Sequence, residues 1–211
     1  MTTDKKLSEV LKGYDSRFLG VFLYDEIALL DPRKLVDRVL VLNYITKDES
    51  AQGRIGHFVT LDFRRNLVKG GDDWTGPYLF DPYGLPPDMP RNIMGLPNNY
   101  NVTNLFDKYK RMTGQDFRRN TRDFQSWNRW DSTCGIYSAL YVQNPDYKTN
   151  PIFFGGQNRS AIDHRLMRIF SKLELLGDPF RNVKRGSVRE ELKFLSSIHK
   201  PSNVHHLILS L

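Results

Sequence analysis

Phe124-Gln125-Ser126-Trp127-Asn128-Arg129-Trp130-Asp131-Ser132-Thr133-Cys134-Gly135-Ile136-Tyr137-Ser138-Ala139-Leu140-Tyr141-Val142 holds the only cysteine of this 211-residue chain. The cysteine stands where an irregular polar segment becomes an apolar run. Asp131, Ser132 and Thr133 are N-cap residue types. Ile136, Ala139, Leu140 and Gln143 follow at helical spacing, and Pro145 closes the run. This pattern puts Cys134 in the first turn of a helix, where unpaired backbone N–H groups and the helix dipole stabilise a thiolate. The competing reading is a small buried hydrophobe that happens to be cysteine. The rest of the chain has to supply the partners of a nucleophile.

Composition narrows the classes. The length suits a single domain over 1–211, and a hydrophobic content of 39% can build a core. No apolar run reaches the ~18 residues of a membrane span. Met1-Thr2-Thr3-Asp4-Lys5-Lys6 has no apolar stretch behind it, so a secretory signal is not expected there. A lone cysteine excludes an internal disulfide framework and a Cys-rich zinc site, and points to a reducing compartment. The five histidines show no metal-ligand spacing. The net charge is +7, concentrated in Lys108–Arg129 and Arg159–Lys200. Basic residues interleaved with aromatics suit nucleic acid, and they equally suit a solvated surface.

Along the chain, Lys5–Lys12 reads as a helix ended by Gly13, and Phe18–Phe22 as a short apolar segment. Asp31-Pro32 is an N-cap followed by proline at the first helical position. Arg38–Thr46 is β-branched and apolar on both faces, which predicts a central strand. Lys47–Gly56 reads as a polar loop. Gly56–Phe63 is a second strand, with Phe58 partly exposed and Val59, Leu61 and Phe63 on the face of His57. Arg64–Pro77 is a long loop, and Tyr78-Leu79-Phe80 a third strand running into the turn Asp81-Pro82-Tyr83-Gly84. Antiparallel pairing of these two strands would bring His57 near Asp81. Leu85–Asn99 reads as loop. Thr103 is placed as the cap of a helix with Leu105, Phe106, Tyr109 and Met112 on one face, stopped by Gly114. Arg122–Gln125 reads as a short strand. Beyond Pro145 the expectation is a loop, two helices capped at Ser160 and Ser187, and a terminal strand at Val204–Leu211.

A cysteine nucleophile needs a base, a group that orients the base, and donors for an oxyanion. His57 is the candidate base, because it opens a strand. Asp81 is the candidate orienter on topology. Gln125 is a candidate oxyanion donor beside the Cys134 N–H. Each is weak alone, but the order His–Asp–Gln–Cys, each at an element boundary, is more specific than its parts.

Gly56-His57-Phe58-Val59, Leu79-Phe80-Asp81-Pro82-Tyr83-Gly84, Gln125-Ser126 and Thr133-Cys134-Gly135 together resemble the adenovirus-type maturation cysteine proteases, the adenain family. That family shares its fold with the SUMO-deconjugating proteases and includes proteases of virophages, polintons and related DNA viruses. Phe80–Gly84 is similar to the family's Phe-Glu-Pro-Phe-Gly; Phe18-Leu19-Gly20 and Asp31–Leu35 are similar to its N-terminal part. The likeness covers about 17–142; 145–211 is expected to be a helical C-terminal part of the same domain. Phe58 stands where the family often has Trp, and the loop between His57 and Asp81 is longer. Gln125 lies nine residues before Cys134, where six or seven is usual, so Asn128 is the other candidate for the oxyanion donor.

The resemblance implies an α+β, papain-like fold, with the cysteine-bearing central helix on a small mixed sheet. It implies a cysteine endopeptidase that processes viral precursor (capsid) proteins during particle maturation, at Gly-Xaa bonds. Trp127 and Trp130 then either wall a narrow substrate channel or pack in the core. The chemistry needs no cofactor or metal. DNA of any sequence is the candidate activator, through Lys108, Lys110, Arg111, Arg118, Arg119, Arg122 and Arg129; Asp107–Arg129 carries seven positive charges against three negative. A monomer in the virion or the host's cytoplasmic virus factory is expected, neither secreted nor membrane-bound. The alternatives are a deconjugase of ubiquitin-like modifiers on the same fold, or a non-catalytic basic nucleic-acid-binding or capsid protein.

Overall fold

The computed structural model describes residues 4–52, 56–70, 74–125, 133–146 and 166. In chain order these form α1 (Asp4–Tyr14), β1 (Phe18–Leu23), two 3-10 turns (Tyr24–Leu29 and Pro32–Leu35), β2 (Val39–Asn43) and α2 (Lys47–Ala51). Then come β3 (Phe58–Asp62), β4 (Tyr78–Phe80), α3 (Met89–Met94), α4 (Val102–Thr113), β5 (Arg118–Arg119) and α5 (Cys134–Gln143). The class is α+β. The five strands lie side by side in chain order. The outer pairs β1–β2 and β4–β5 are parallel, and the inner pairs β2–β3 and β3–β4 are antiparallel.

The sheet is covered on both faces, which is why β2 is apolar at consecutive positions and buried throughout. Strand periodicity sorts the side chains. Leu40, Leu42, Val59 and Leu61 point to a core shared with Leu105, Phe106 and Tyr109 of α4. Val39, Val41 and Phe58 point the other way, to Leu7 and Leu11 of α1 and to Cys134, Ala139 and Val142 of α5. At roughly 1.5–3 kcal/mol per large apolar side chain buried, these contacts hold α5 on the sheet. Every residue from Cys134 to Val142 is buried. A helix buried all round has no polar stripe. Its polar groups must find partners inside, and Thr60 Oγ1 donates to the Ser138 carbonyl at 3.4 Å.

The expected pairing of 56–63 with 78–80 is present, as is the cap at Asp31, whose carboxylate accepts from Arg33 N. Several expectations are corrected. Phe58 is buried, not partly exposed, because α1 and α5 cover that face. The loop expected over 47–56 begins with α2, closed by a capping box in which Thr46 and Glu49 satisfy each other's backbone N–H. The loop expected over 85–99 contains α3. Asn101, not Thr103, caps α4, accepting from Asn104 N; Thr103 Oγ1 instead donates to Asp88, whose carboxylate also takes the Val102 N–H. Met112 is exposed and does not share the buried face. Arg122–Gln125 is not a strand; the strand of that region is β5. The helices and strand expected after 146 fall outside the described residues, Leu166 apart.

Candidate active site

His57 stands one residue before β3 and Asp81 one residue after β4. Thr60 pairs with Phe80 and Leu61 with Leu79. Continuing that register sets Val59 opposite Asp81 and His57 two residues on, along the same face. Side chains at such diagonal positions are within reach, and His57 Nε2 lies 3.1 Å from Asp81 Oδ2. Both are buried, Asp81 at 1% and His57 at 7% exposure. Gly56 makes the approach tight: a Cβ there would run into Asn43 Oδ1 and Ile45 Cγ2.

A carboxylate only accepts, so Nε2 donates the proton and Nδ1 of the neutral ring is left as an acceptor. Burial opposes charge on His57, but the Asp81 carboxylate beside it and its hydrogen bond prevail, with the Cys134 side chain adding to them; the imidazole is pushed up to about 10. Cys134 thus lies against the ring. Nδ1 makes no formed hydrogen bond among the described residues. Cys134 opens α5 and is 6% exposed. Its N–H lies in the first turn, whose donors have no partner within the helix.

Asp81 is held from every side. Its Oδ1 accepts from Tyr83 N at 2.7 Å. Asn120 Oδ1 accepts from Asp81 N at 2.8 Å, and Asn120 Nδ2 donates to Asp81 O at 2.6 Å. Gly84 closes the turn by donating to Asp81 O. The aromatic faces of Tyr83 and Tyr44 enclose the imidazole, with ring centres 5.0 and 6.4 Å away, and Tyr44 OH donates to Pro87 O.

Gln125 is buried and joined to this turn by its backbone: Gln125 N and Phe124 N both donate to Pro82 O, at 3.0 and 2.8 Å. The structure therefore gathers His57, Asp81 and Cys134, and ties the Gln125 segment to the Asp81 turn. Trp127, Trp130, Asn128 and Arg129 lie outside the described residues. Lys108, Lys110 and Arg111 are exposed on α4, and Lys110 pairs with Asp116 at 2.6 Å. Arg118 lies 4.4 Å over the Trp74 ring and Arg122 5.9 Å over Phe124. Arg119 donates to Gly84 O at 2.8 Å. Sequence reading overlooked Asn120, Tyr83 and Tyr44. Tyr83 was within the motif and Tyr44 within a predicted strand; nothing in the local sequence marks Asn120.

Among the described residues, no group of three or more His, Cys, Asp or Glu could hold a metal ion, and no helix is long and apolar enough to cross a membrane. In comparisons with known proteins, no family model and no curated protein matches the chain.

Proposed function

We propose that the chain is a cysteine endopeptidase with a papain-like fold of the adenain and SUMO-protease type, acting on viral precursor proteins within the virion or virus factory. One observation carries the reading: a buried histidine held by a carboxylate on one nitrogen and lying against a helix-opening thiol. A raised imidazole favours its protonated form, and an imidazolium beside a thiol favours the ion pair that peptidase chemistry needs. Cys134 Sγ attacks the scissile carbonyl carbon. The Cys134 N–H and an amide from Gln125, or Asn128, receive the oxyanion. His57 delivers its proton to the leaving amine, giving a thioester. Water then attacks as His57 takes its proton, releasing the acid and freeing the sulfur. Asp81 keeps the ring in one tautomer throughout.

Glycine before the scissile bond is the proposed preference, by the resemblance set out above. DNA of any sequence is the proposed activator, supported by the exposed Lys108, Lys110 and Arg111 on α4 and by Arg118 and Arg122 on the segment running to Gln125.

Alkylation by iodoacetamide across pH tests the nucleophile. An activated Cys134 reacts fast at neutral pH; a rate that rises only around the free-thiol pKa of ~8.5 overturns the reading. A peptide-library profile of the active protein then names the substrate. Cleavage confined to folded ubiquitin-like conjugates would make it a deconjugase.

A further inference from the structure

The proposal above gives Asp81 the task of fixing His57, and the question is what fixes Asp81. β4 ends at Phe80, so the Asp81 backbone has left the ladder. β5 ends sooner still, at Arg119. Past both ends the Asn120 side chain takes the place of a strand. Its Oδ1 accepts from Asp81 N and its Nδ2 donates to Asp81 O, as a paired strand would. The same Nδ2 donates to Arg122 O at 2.9 Å. Asn120 is 2% exposed. Asparagine fits this position: a carboxylate could not donate, a hydroxyl could not span both groups, and glutamine is one methylene too long.

Around this amide the Asp81–Gly84 turn is joined to 119–125 at three further points. Phe124 N and Gln125 N reach Pro82 O, and Arg119 Nη1 reaches Gly84 O. Gly84 has φ +70°, and a Cβ there would lie 2.8 Å from Thr121 O and 2.9 Å from Arg122 O. The turn and the segment are in backbone contact.

We propose that Asn120 is the positioning residue of the site: it extends the β4 ladder through its side chain, fixes the Asp81 carboxylate against His57, and ties that acid to the segment carrying Gln125. The inference rests on the peptidase reading for its effect on turnover, but not for its effect on His57.

NMR titration of the His57 ring separates the two. The groups facing that ring are Asp81, Cys134, Tyr44 and Tyr83. Asn120→Ala should lower the His57 midpoint by at least about one unit, a tenfold change. Peptide turnover should fall by up to about 100-fold in kcat with KM little changed. Asn120→Ser, which keeps one bond, should fall between. Thr113→Ala, which removes a bond to Tyr109 O at the far end of α4, should leave both readouts unmoved. A folded Asn120→Ala with an unshifted His57 overturns the proposal. Should neither Asn120 variant fold, the wild-type protein decides: the Asn120 side-chain amide protons should resist exchange as strongly as the Thr60 amide inside β3, and rapid exchange overturns the proposal. If wild-type protein cleaves no peptide, the peptidase reading fails while the His57 shift still reports on Asn120.

Discussion

Strand β3 and helix α5 run in the same direction, and each of their shared ends carries a buried charged cluster. At one end are His57, Asp81 and Cys134. At the other are Asp62, Arg64 and Lys69, with Asp15 from the end of α1. Arg64 bonds through all three of its nitrogens: it gives Nε and Nη2 to Asp62 at 3.0 and 2.7 Å, and Nη1 to Asp15 and to Val142 O at 2.9 and 2.6 Å. The last bond caps the C-terminal end of α5. Lys69 donates to Arg64 O and to Gly76 O, and lies 3.7 Å from Asp62. At the His57 end, Nδ1 has no formed hydrogen bond among the described residues and faces the cysteine. The Arg64 cluster closes its bonds; on the peptidase reading, the His57 cluster leaves one ring nitrogen open toward the thiol.

The sharpest break in that contrast comes from single truncations. Cys134→Ala and His57→Ala should each reduce peptide cleavage by at least about 10⁴-fold, because nucleophile and base act as a unit, and Cys134→Ala should do so with thermal unfolding little changed. A Cys134→Ala protein that still cleaves would sink the peptidase reading. Arg64→Ala should do the reverse. It leaves Asp62 buried beside a lost partner, which costs about 3–5 kcal/mol in urea unfolding, with the pH profile of cleavage unmoved. A tolerant Arg64→Ala would mean that the two ends are not different in kind.

Asp81→Asn separates orientation from reaction. The amide still accepts from Nε2 but brings no charge. Turnover should fall about 10²- to 10³-fold, and the alkaline limit of activity, set by His57 near pH 10, should move toward neutral. A limit that stays put would deny Asp81 its role.

The two ends also respond to pH with opposite sign. His57 is raised from 6.5 to about 10, so the folded state holds its proton where the unfolded state has lost it. Its stabilisation is complete below pH 6.5 and declines as pH rises toward 10. Lys69 is brought down to about 8, by burial first, with Asp62 opposing. There the unfolded state holds more protons between about 8 and 10.5, so stability rises with pH across that window. The sum predicts a loss of about 2 kcal/mol from pH 6.5 to 8, then a plateau where the slopes offset. Urea unfolding from pH 6 to 10 checks this. Lys69→Met should turn the plateau into continued decline, and His57→Gln should erase the first fall.

The smallest effect concerns DNA. A short duplex should raise turnover at low salt and lose its effect toward ~0.3 M salt, with a slope of about −0.9 per phosphate contacted. Lys108→Glu and Arg111→Glu together should weaken it. Stimulation that ignores salt would exclude the phosphate contact.

Much of this was readable in the residues because it is local. Turn chemistry placed Asp81-Pro82-Tyr83-Gly84, consecutive apolar residues placed β2, and N-cap residue types ahead of an apolar run placed Cys134 at the start of α5. The proximity of His57 to Asp81 followed from pairing two adjacent strands. The losses are instructive in the same way. Phe58 looked half-exposed because nothing in the sequence announced that α1 would cover that face. The Thr46–Glu49 capping box was a local signal and was overlooked. Asn120 acts on a backbone 39 positions earlier, so its role is invisible before the chain is folded.

Sheet order sets when the proposed site can first be complete. The strands sit in space as they follow in sequence, so each can join its neighbour as it leaves the ribosome. His57 and Asp81 are assembled by β3 and β4. The nucleophile comes later, on α5, and its synthesis lags Asp81 by roughly 3–10 s at ordinary translation rates. During that interval, on the peptidase reading, the nascent chain holds a base and an acid, the acid fixed once Asn120 follows, with no nucleophile to activate. On the peptidase reading, a chain assembled in this order stays harmless to its own ribosome and its neighbours until α5 docks.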